Sequence, residues 1–362
     1  NSAAEGSYSG LTKYDFLARI NALDTVEATS KSLEKLEAFI QKNKGKWMFG
    51  FMSYELKNEI EQLKSSHTDR LNFPVLHFFV PQVVLVSEGG KLRMIDQLEQ
   101  TTKQFVADDV ELRQMHASGN VALTPRFSNS DYIQTVEKLK EQLQQGNIYE
   151  VTFCQEFYND SANINPFETY IKLNANTRAP MSCFYKKENQ FIISSSPERF
   201  MCRRENKIYS QPIKGTAPRS SSREEDEWLK DNLQNSEKER SENIMIVDLV
   251  RNDLSRIAKP GTVEVNELLG VYTFKTVHQL ISTVSCEVEP NISFSEIIRA
   301  AFPMGSMTGA PKISAMTLID AHEKSNRGLF SGSVGYIDPA GDFDFNVIIR
   351  TILYNAQRNY VS

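Results

Sequence analysis

"QFIISSSPERFMCRRENKIYSQPIKGT", residues 190–216, alternates apolar runs with turn residues and closes on a lysine in a bend. Its β-branched and aromatic side chains, bounded by Ser, Pro and Asn, carry the signature of short strands. Together with "MSCFYKK" just upstream, these runs predict successive strands of an antiparallel meander. Further upstream, "IYEVTFCQEF" (148–157) predicts another strand, with Tyr149, Val151, Phe153 and Phe157 on one face. Glu150, Thr152, Cys154 and Glu156 fall on the other, so Glu150 is expected to point away from the core. Downstream, Ser236 and Glu239 read as a capping box opening a helix with an apolar stripe of Ile244, Val247, Val250, Leu254 and Ile257. Strands and helices come in blocks and do not alternate strictly, which makes the fold class α+β.

The 362 residues are enough to bury a large core. A net charge of −5 with no concentrated basic run argues against a nucleic-acid partner and leaves small molecules or proteins. Cys154, Cys183, Cys202 and Cys286 are widely spaced with no CxxC pair, as expected of reduced thiols in a cytoplasm. The most apolar stretch, "VLHFFVPQVVLV" (75–86), is too short for a membrane span and contains Pro81. A polar run at 124–131 marks a boundary, dividing the chain into an N-terminal part, 1–122, and a region at 123–362 that carries the chemistry.

Six features could do chemistry. Pro212, Gly215 and Pro218 bend and hold the backbone around Lys214, whose amine is either a solvated loop group or a reagent. Glu198, at a strand end after a proline, is either a salt-bridge partner of Arg199 or Arg203 or a general acid. Glu239 and Glu242, three residues apart on one helix face, make a solvated pair with Lys238 or half of a Mg²⁺ site. "PMGSMTGAPKISAM" (303–316) is a Gly/Ser/Thr loop running into a helix with Pro311 in its first turn, a connecting turn or a donor of N–H groups to an anion. His278 lies in a β-rich apolar stretch, where a structural histidine is the commoner outcome. "GSVGYIDPAGDFDFNVIIRTI" predicts a hairpin, Val334–Ile337 with Phe343–Ile352, that puts Tyr336 on one strand and Arg350 on the other.

Taken in order, "IYEVTFCQEF", "SSPERF", "PIKGT", "ENIMIVDLVRNDL", "VHQLISTV", "FPMGSMTGAPK" and "GSVGYI…IIRTI" resemble the motifs of the chorismate-utilising enzymes over roughly residues 125–353. That family includes the anthranilate, aminodeoxychorismate, isochorismate and salicylate synthases. The resemblance implies a single two-lobed domain with large antiparallel sheets, and chorismate with Mg²⁺ in a central cleft. "PIKGT" is similar to the aminodeoxychorismate-forming branch, which leads to para-aminobenzoate and folate; anthranilate synthases usually carry alanine at the position of Lys214.

What the resemblance implies for single residues follows from that branch. The Lys214 amine attacks C2 of chorismate while the C4 hydroxyl leaves, protonated by Glu198. Ammonia from a glutamine amidotransferase partner then adds at C4 and expels the lysine. Lysine titrates near 10.4, so keeping it neutral at pH 7 costs about 4–5 kcal/mol and calls for desolvation or a nearby cation. Glu239 and Glu242 resemble one half of the Mg²⁺ site. Gly215, Thr216 and Ser306 resemble donors to the ring carboxylate, His278 the histidine beside C4, and Tyr336 with Arg350 the pair that binds the enolpyruvyl carboxylate. Glu150 departs from the family, where water-using members have lysine and amine-transferring members often glutamine; this disfavours a water nucleophile and leaves its role open. The family's glycine-rich strand and final helix, with the remaining Mg²⁺ carboxylates, come after the position of Ser362, so weak or absent Mg²⁺ is expected. The alternatives are an anthranilate synthase component I and an inactive homologue serving as a binding subunit.

Overall fold

The structure, a computed structural model, describes residues 10–105 and 121–362. The polar start at 1–9 and most of the run up to the expected boundary at 122 lie outside the described residues. The chain opens with β1 (Phe16–Ala28), α1 (Ser32–Lys42), β2 (Met48–Met52), α2 (Lys57–Ile60), β3 (Leu76–Glu88), β4 (Lys91–Asp96) and β5 (Thr101–Phe105). After β6 (Thr124–Pro125) come α3 (Asn129–Gln144), β7 (Glu150–Val151), β8 (Phe157–Tyr158), α4 (Pro166–Thr177), β9 (Cys183–Lys187), β10 (Gln190–Ser194), β11 (Arg199–Arg204), β12 (Lys207–Gln211) and β13 (Ile213–Pro218). Two helices follow, α5 (Arg223–Asn235) and α6 (Glu237–Ser255), then β14 (Glu264–Thr273), β15 (Val277–Glu287), α7 (Phe294–Ala301), β16 (Gly309–Ala310) and α8 (Lys312–His322). The last strands are β17 (Ser333–Ile337), β18 (Phe343–Asn346), β19 (Thr351–Asn355) and β20 (Tyr360–Val361).

Ten strands run in the order β13-β15-β12-β11-β18-β17-β2-β3-β4-β5, with β1 on β3 and β14 on β15 completing a twelve-stranded sheet. A second sheet of four strands has the order β20-β19-β10-β9. Every pairing recorded in both sheets is antiparallel, as expected of α+β. The meander is nevertheless divided: β9 and β10 belong to the small sheet, β11 and β12 to the large one. The chain changes sheets across "SSPE", residues 195–198, and Glu198 sits at that corner. Helices α1, α6 and α7 cover one face of the large sheet, closing a core that includes Leu36, Val250, Ile297 and Phe345.

Three local expectations need correction. "IYEVTFCQEF" forms only the two-residue strand β7 and the start of β8, and Tyr149 and Phe157 are exposed. Its sheet partners among the described residues are the two-residue strands β16, on β7, and β6, on β8; the stretch between is held by single hydrogen bonds and by side chains described below. In α6, Ser236 accepts a hydrogen bond from the Glu239 N–H (3.4 Å), and Ile246, Val247, Val250 and Leu254 are buried, but Ile244 is exposed and Ile257 lies past the helix end. At about 100° per residue, Ile244 is turned away from the face shared by Asn243, Val247, Val250 and Leu254. Arg350 is not on a strand: β18 ends at Asn346, and Arg350 stands in the link to β19 with φ 49°.

Among the described residues no helix is long and apolar enough to cross a membrane. Phe345, 1 % exposed, stacks centrally between Phe294 (5.3 Å), Phe78 (6.0 Å) and Phe343 (6.0 Å). Phe345→Ala is therefore expected to lower unfolding free energy by about 3–5 kcal/mol; urea denaturation should report a lower midpoint with an unchanged slope.

Candidate active site

Lys214 is aimed by a β-bulge. Between the pairs Ile213↔Ile281 and Thr216↔Gln279, β13 has one residue more than β15, and Gly215 there takes φ 97°. A bulge bends its strand and redirects a side chain. A Cβ on Gly215 would stand 3.2 Å from Glu239 Oε2, so the bend also needs the missing side chain. Asn243, buried on α6, locks the bend by donating to the carbonyls of Lys214 (3.2 Å) and Leu280 (3.3 Å).

The Lys214 ammonium meets Glu150, with Nζ 2.7 Å from Oε1, and donates to Thr152 Oγ1 at 3.3 Å. Glu150 thus faces the site. Its strand reaches Lys214 because β7 pairs with β16 at Gly309, where a Cβ would lie 2.1 Å from the Glu150 carbonyl oxygen and φ is 145°. The other Glu150 oxygen, Oε2, is buried without a hydrogen-bond partner. The nearest charged partner of the amine in the structure is consequently the Glu150 carboxylate.

Glu198 is 4 % exposed and pairs with neither neighbouring arginine. Arg199 forks onto Asp344, and Arg203 bonds the carbonyls of Glu205 and Pro290. Glu198 Oε1 instead accepts from Ser306 Oγ at 2.6 Å. Burial pushes its carboxyl up to about 7, against the lowering influence of Ser306, Lys214, the Ile213 N–H and Arg350. A carboxyl poised there can hold a proton at neutral pH and deliver it.

Lys214 and Glu198 are linked through Thr152 and Ser306, by way of the Ser306 backbone carbonyl and hydroxyl. Lys214 Nζ donates to Thr152 Oγ1, Thr152 Oγ1 donates to the Ser306 carbonyl (2.9 Å), and Ser306 Oγ donates to Glu198. Thr152 in this role was missed, its only sequence signal being a place two residues after Glu150.

The other expected residues are spread more widely. Glu239 lies against Gly215, and Lys238 stands 3.5 Å from Glu239 and 3.7 Å from Glu242. Two carboxylates on one helix face fit Mg²⁺, which takes few protein carboxylates and completes its shell with water and substrate. Among the described residues no group of three or more His, Cys, Asp and Glu side chains could hold a metal. Thr216 is exposed and accepts from Gln279 Nε2 at 3.3 Å. His278 is buried with both nitrogens taken, Nε2 3.0 Å from Asp226 Oδ1 and Nδ1 3.0 Å from Thr273 Oγ1. It therefore faces α5 and β14, on the side of β15 opposite to Gln279.

Tyr336 and Arg350 are not brought together. Tyr336 packs against Tyr14 (5.7 Å) and Trp47 (5.9 Å) and lines a cavity of about 820 Å³ that also holds Arg19 and His77. The pairing of β17 with β2, which sets Tyr336 opposite Phe49, turns it that way. Arg350 lines a separate cavity of about 520 Å³ with Phe330, Glu156 and Arg327, within electrostatic reach of Glu198.

The sequence matches the family model described as chorismate binding enzyme over residues 5–362. Among curated relatives, aminodeoxychorismate synthase component 1 of Klebsiella aerogenes is 33 % identical over 314 residues, covering 84 % of this chain and 68 % of that protein. The Escherichia coli K12 protein of the same name is 40 % identical over 226 residues, with coverages of 62 % and 50 %. The chloroplastic aminodeoxychorismate synthase of Arabidopsis thaliana is 40 % identical over 240 residues, with coverages of 66 % and 26 %. The chain thus spans between about a quarter and two thirds of the length of these relatives. Among solved structures, anthranilate synthase component I from Streptococcus pneumoniae superposes with a TM-score of 0.79 at 22 % identity, covering 97 % of this chain and 86 % of that one. MenF, the menaquinone-specific isochorismate synthase of Escherichia coli, gives 0.74 at 15 %, with coverages of 95 % and 78 %. At those identities the two structures speak for the fold alone.

Because burial raises Glu198 from 4.5 to about 7 on folding, the native state is favoured below pH 4.5 and loses that advantage as pH rises through 7. Glu198→Gln is expected to leave stability near that of the parent at pH 4 and to exceed it by about 3 kcal/mol at pH 8.5. Denaturant unfolding of both proteins across that range measures the difference.

Proposed function

This chain belongs to the chorismate-binding enzyme family, and from that premise we propose that it is the chorismate-aminating component of an aminodeoxychorismate synthase. It would convert chorismate and ammonia to 4-amino-4-deoxychorismate, the precursor of para-aminobenzoate. A separate glutamine amidotransferase subunit would supply the ammonia. The observation that carries the reading is the link through Thr152 and Ser306 from a lysine amine to a carboxyl that burial keeps protonated near neutrality.

The chemistry divides between the two ends of that link. Lys214 gives up a proton, for which Glu150 is the acceptor in contact, and its lone pair forms a bond to C2 of chorismate. As both ring double bonds shift, C1=C2 to C1=C6 and C5=C6 to C4=C5, the C4–O bond breaks and Glu198 gives its proton to the departing hydroxyl, which leaves as water. Ammonia then bonds to C4, both double bonds shift back, and the C2–N bond breaks to return the lysine amine. Ser306, by bonding the Glu198 anion, stabilises what the proton leaves behind. Glu239 and Glu242 would hold Mg²⁺, which when bound supplies positive charge for the ring carboxylate. Gly215 and Thr216, on the same bend as Lys214, would hold that carboxylate from the protein side. Arg350 is suited to the enolpyruvyl carboxylate through its guanidinium fork.

Lysine at position 214 favours this product over anthranilate, because a covalent lysine route adds nitrogen at C4. Full-length protein incubated with chorismate, Mg²⁺ and ammonium chloride is expected to yield a product that is aminated and still carries its enolpyruvyl group. Lys214→Ala should lower its formation by several orders of magnitude, as removal of a covalent nucleophile does. Mass spectrometry reads both outcomes; release of anthranilate and pyruvate, or no turnover at all, would sink the reading.

A further inference from the structure

We propose that Arg327, with Glu323, is the positioning pair that holds the nucleophile and the acid in one register. This inference rests on the roles given to Lys214 and Glu198 above. Arg327 is 6 % exposed and Glu323 4 %. The guanidinium has five N–H groups, and each is used inside the protein. Nε donates to Glu323 Oε2 (2.9 Å) and one Nη2 hydrogen to Glu323 Oε1 (2.6 Å), a two-pronged ion pair in the turn that follows α8. The second Nη2 hydrogen goes to the Thr152 carbonyl (2.7 Å), and Nη1 serves the Met307 carbonyl (2.6 Å) and Ser331 Oγ (3.3 Å). Glu323 Oε1 in turn accepts the Cys154 N–H at 2.9 Å.

The two carbonyls that Arg327 grips belong to the two segments that make the link between Lys214 and Glu198. One segment carries Glu150 and Thr152, which touch the Lys214 amine; the other carries Ser306, which touches Glu198. The Glu150–Val151 strand is two residues long, and its ladder ends with the Thr152 N–H on the Thr308 carbonyl (2.8 Å), so the Thr152 carbonyl and the Cys154 N–H find their partners in Arg327 and Glu323. Side chains from the far side therefore do what a longer strand would have done. With all five donors engaged, Arg327 has none left for a substrate, which separates it from Arg350 in the same cavity. A planar fork reaching four acceptor groups at once is geometry that lysine lacks.

The test uses Arg327→Lys, which keeps the charge beside Glu323 and loses the fork, and Glu323→Gln, which keeps a carbonyl for the Cys154 N–H. In the full-length protein, Arg327→Lys is expected to cut kcat for the aminated product about a hundredfold with chorismate KM changed less than threefold, the cost of a misplacement of about 1 Å. Glu323→Gln should act in the same direction by about tenfold and carries the test if the lysine variant does not fold. A second readout needs no turnover: the pH at which the stability gain of Glu198→Gln over its parent levels off, which the folded-state titration of Glu198 sets, is compared with and without Arg327→Lys. That pH should rise by about one unit once Ser306 drifts from the Glu198 anion. Unchanged kcat, or a loss of stability with that pH unmoved, overturns the inference and leaves Arg327 a structural brace. A shifted pH with no aminated product from the parent protein would uphold the coupling and count against the function proposed above.

Discussion

Glu198 is buried at the corner where the chain leaves the four-stranded sheet for the twelve-stranded one, and the candidate site is arranged around that burial. A carboxylate taken out of water without a cation in contact is costly, so the group keeps its proton to near neutrality. Ser306 softens the cost without removing it, since one hydroxyl satisfies one oxygen. The same corner fixes the Glu198 backbone: its carbonyl accepts from the Val347 N–H at 3.0 Å, and its own N–H donates to Ser196 Oγ at 3.2 Å. Chemistry and instability therefore share one residue, a common arrangement where a site demands a carboxyl that can act as an acid.

Around that acid the protein uses close backbone approach and buried charge in place of long strands. Gly309 lets β16 lie against Glu150, and Gly215 lets the β13 bulge lie against Glu239. Arg327 and Glu323 then tie down a segment that has almost no sheet of its own. Breaking one partner of such a buried pair leaves an uncompensated charge, so the pair is held in place by the cost of its own disruption. Local order is thus bought with electrostatics, and the acceptor beside Lys214 is a carboxylate because β7 is held where Glu150 can reach.

Much of this was legible before any coordinates. Strand-forming runs, their turn residues and the block arrangement pointed to antiparallel sheets, and Lys214 and Glu198 stood out because prolines and glycine framed them. Ser306 was marked by its Gly/Ser/Thr loop. Less legible was anything requiring a partner far along the chain. Alternation across "IYEVTFCQEF" suggested a strand, but alternation says nothing about whether a neighbouring strand is present to pair with it. Tyr336 looked like a partner for Arg350 from the family resemblance, and the pairing of β17 with β2 turned it into an aromatic cluster instead.

By itself, the order of residues determined the family, the α+β class and the identities of a lysine, a carboxyl and a pair of helix carboxylates fit for chemistry. These are local properties: propensity, turn chemistry and spacing along one element. Only the tertiary structure decided that Lys214 meets Glu150 across 64 positions of sequence, that a threonine and a serine connect it to Glu198, and that Arg327 grips both segments. Contacts of that kind depend on register and burial, which are set when the sheets close and which no stretch of sequence encodes alone.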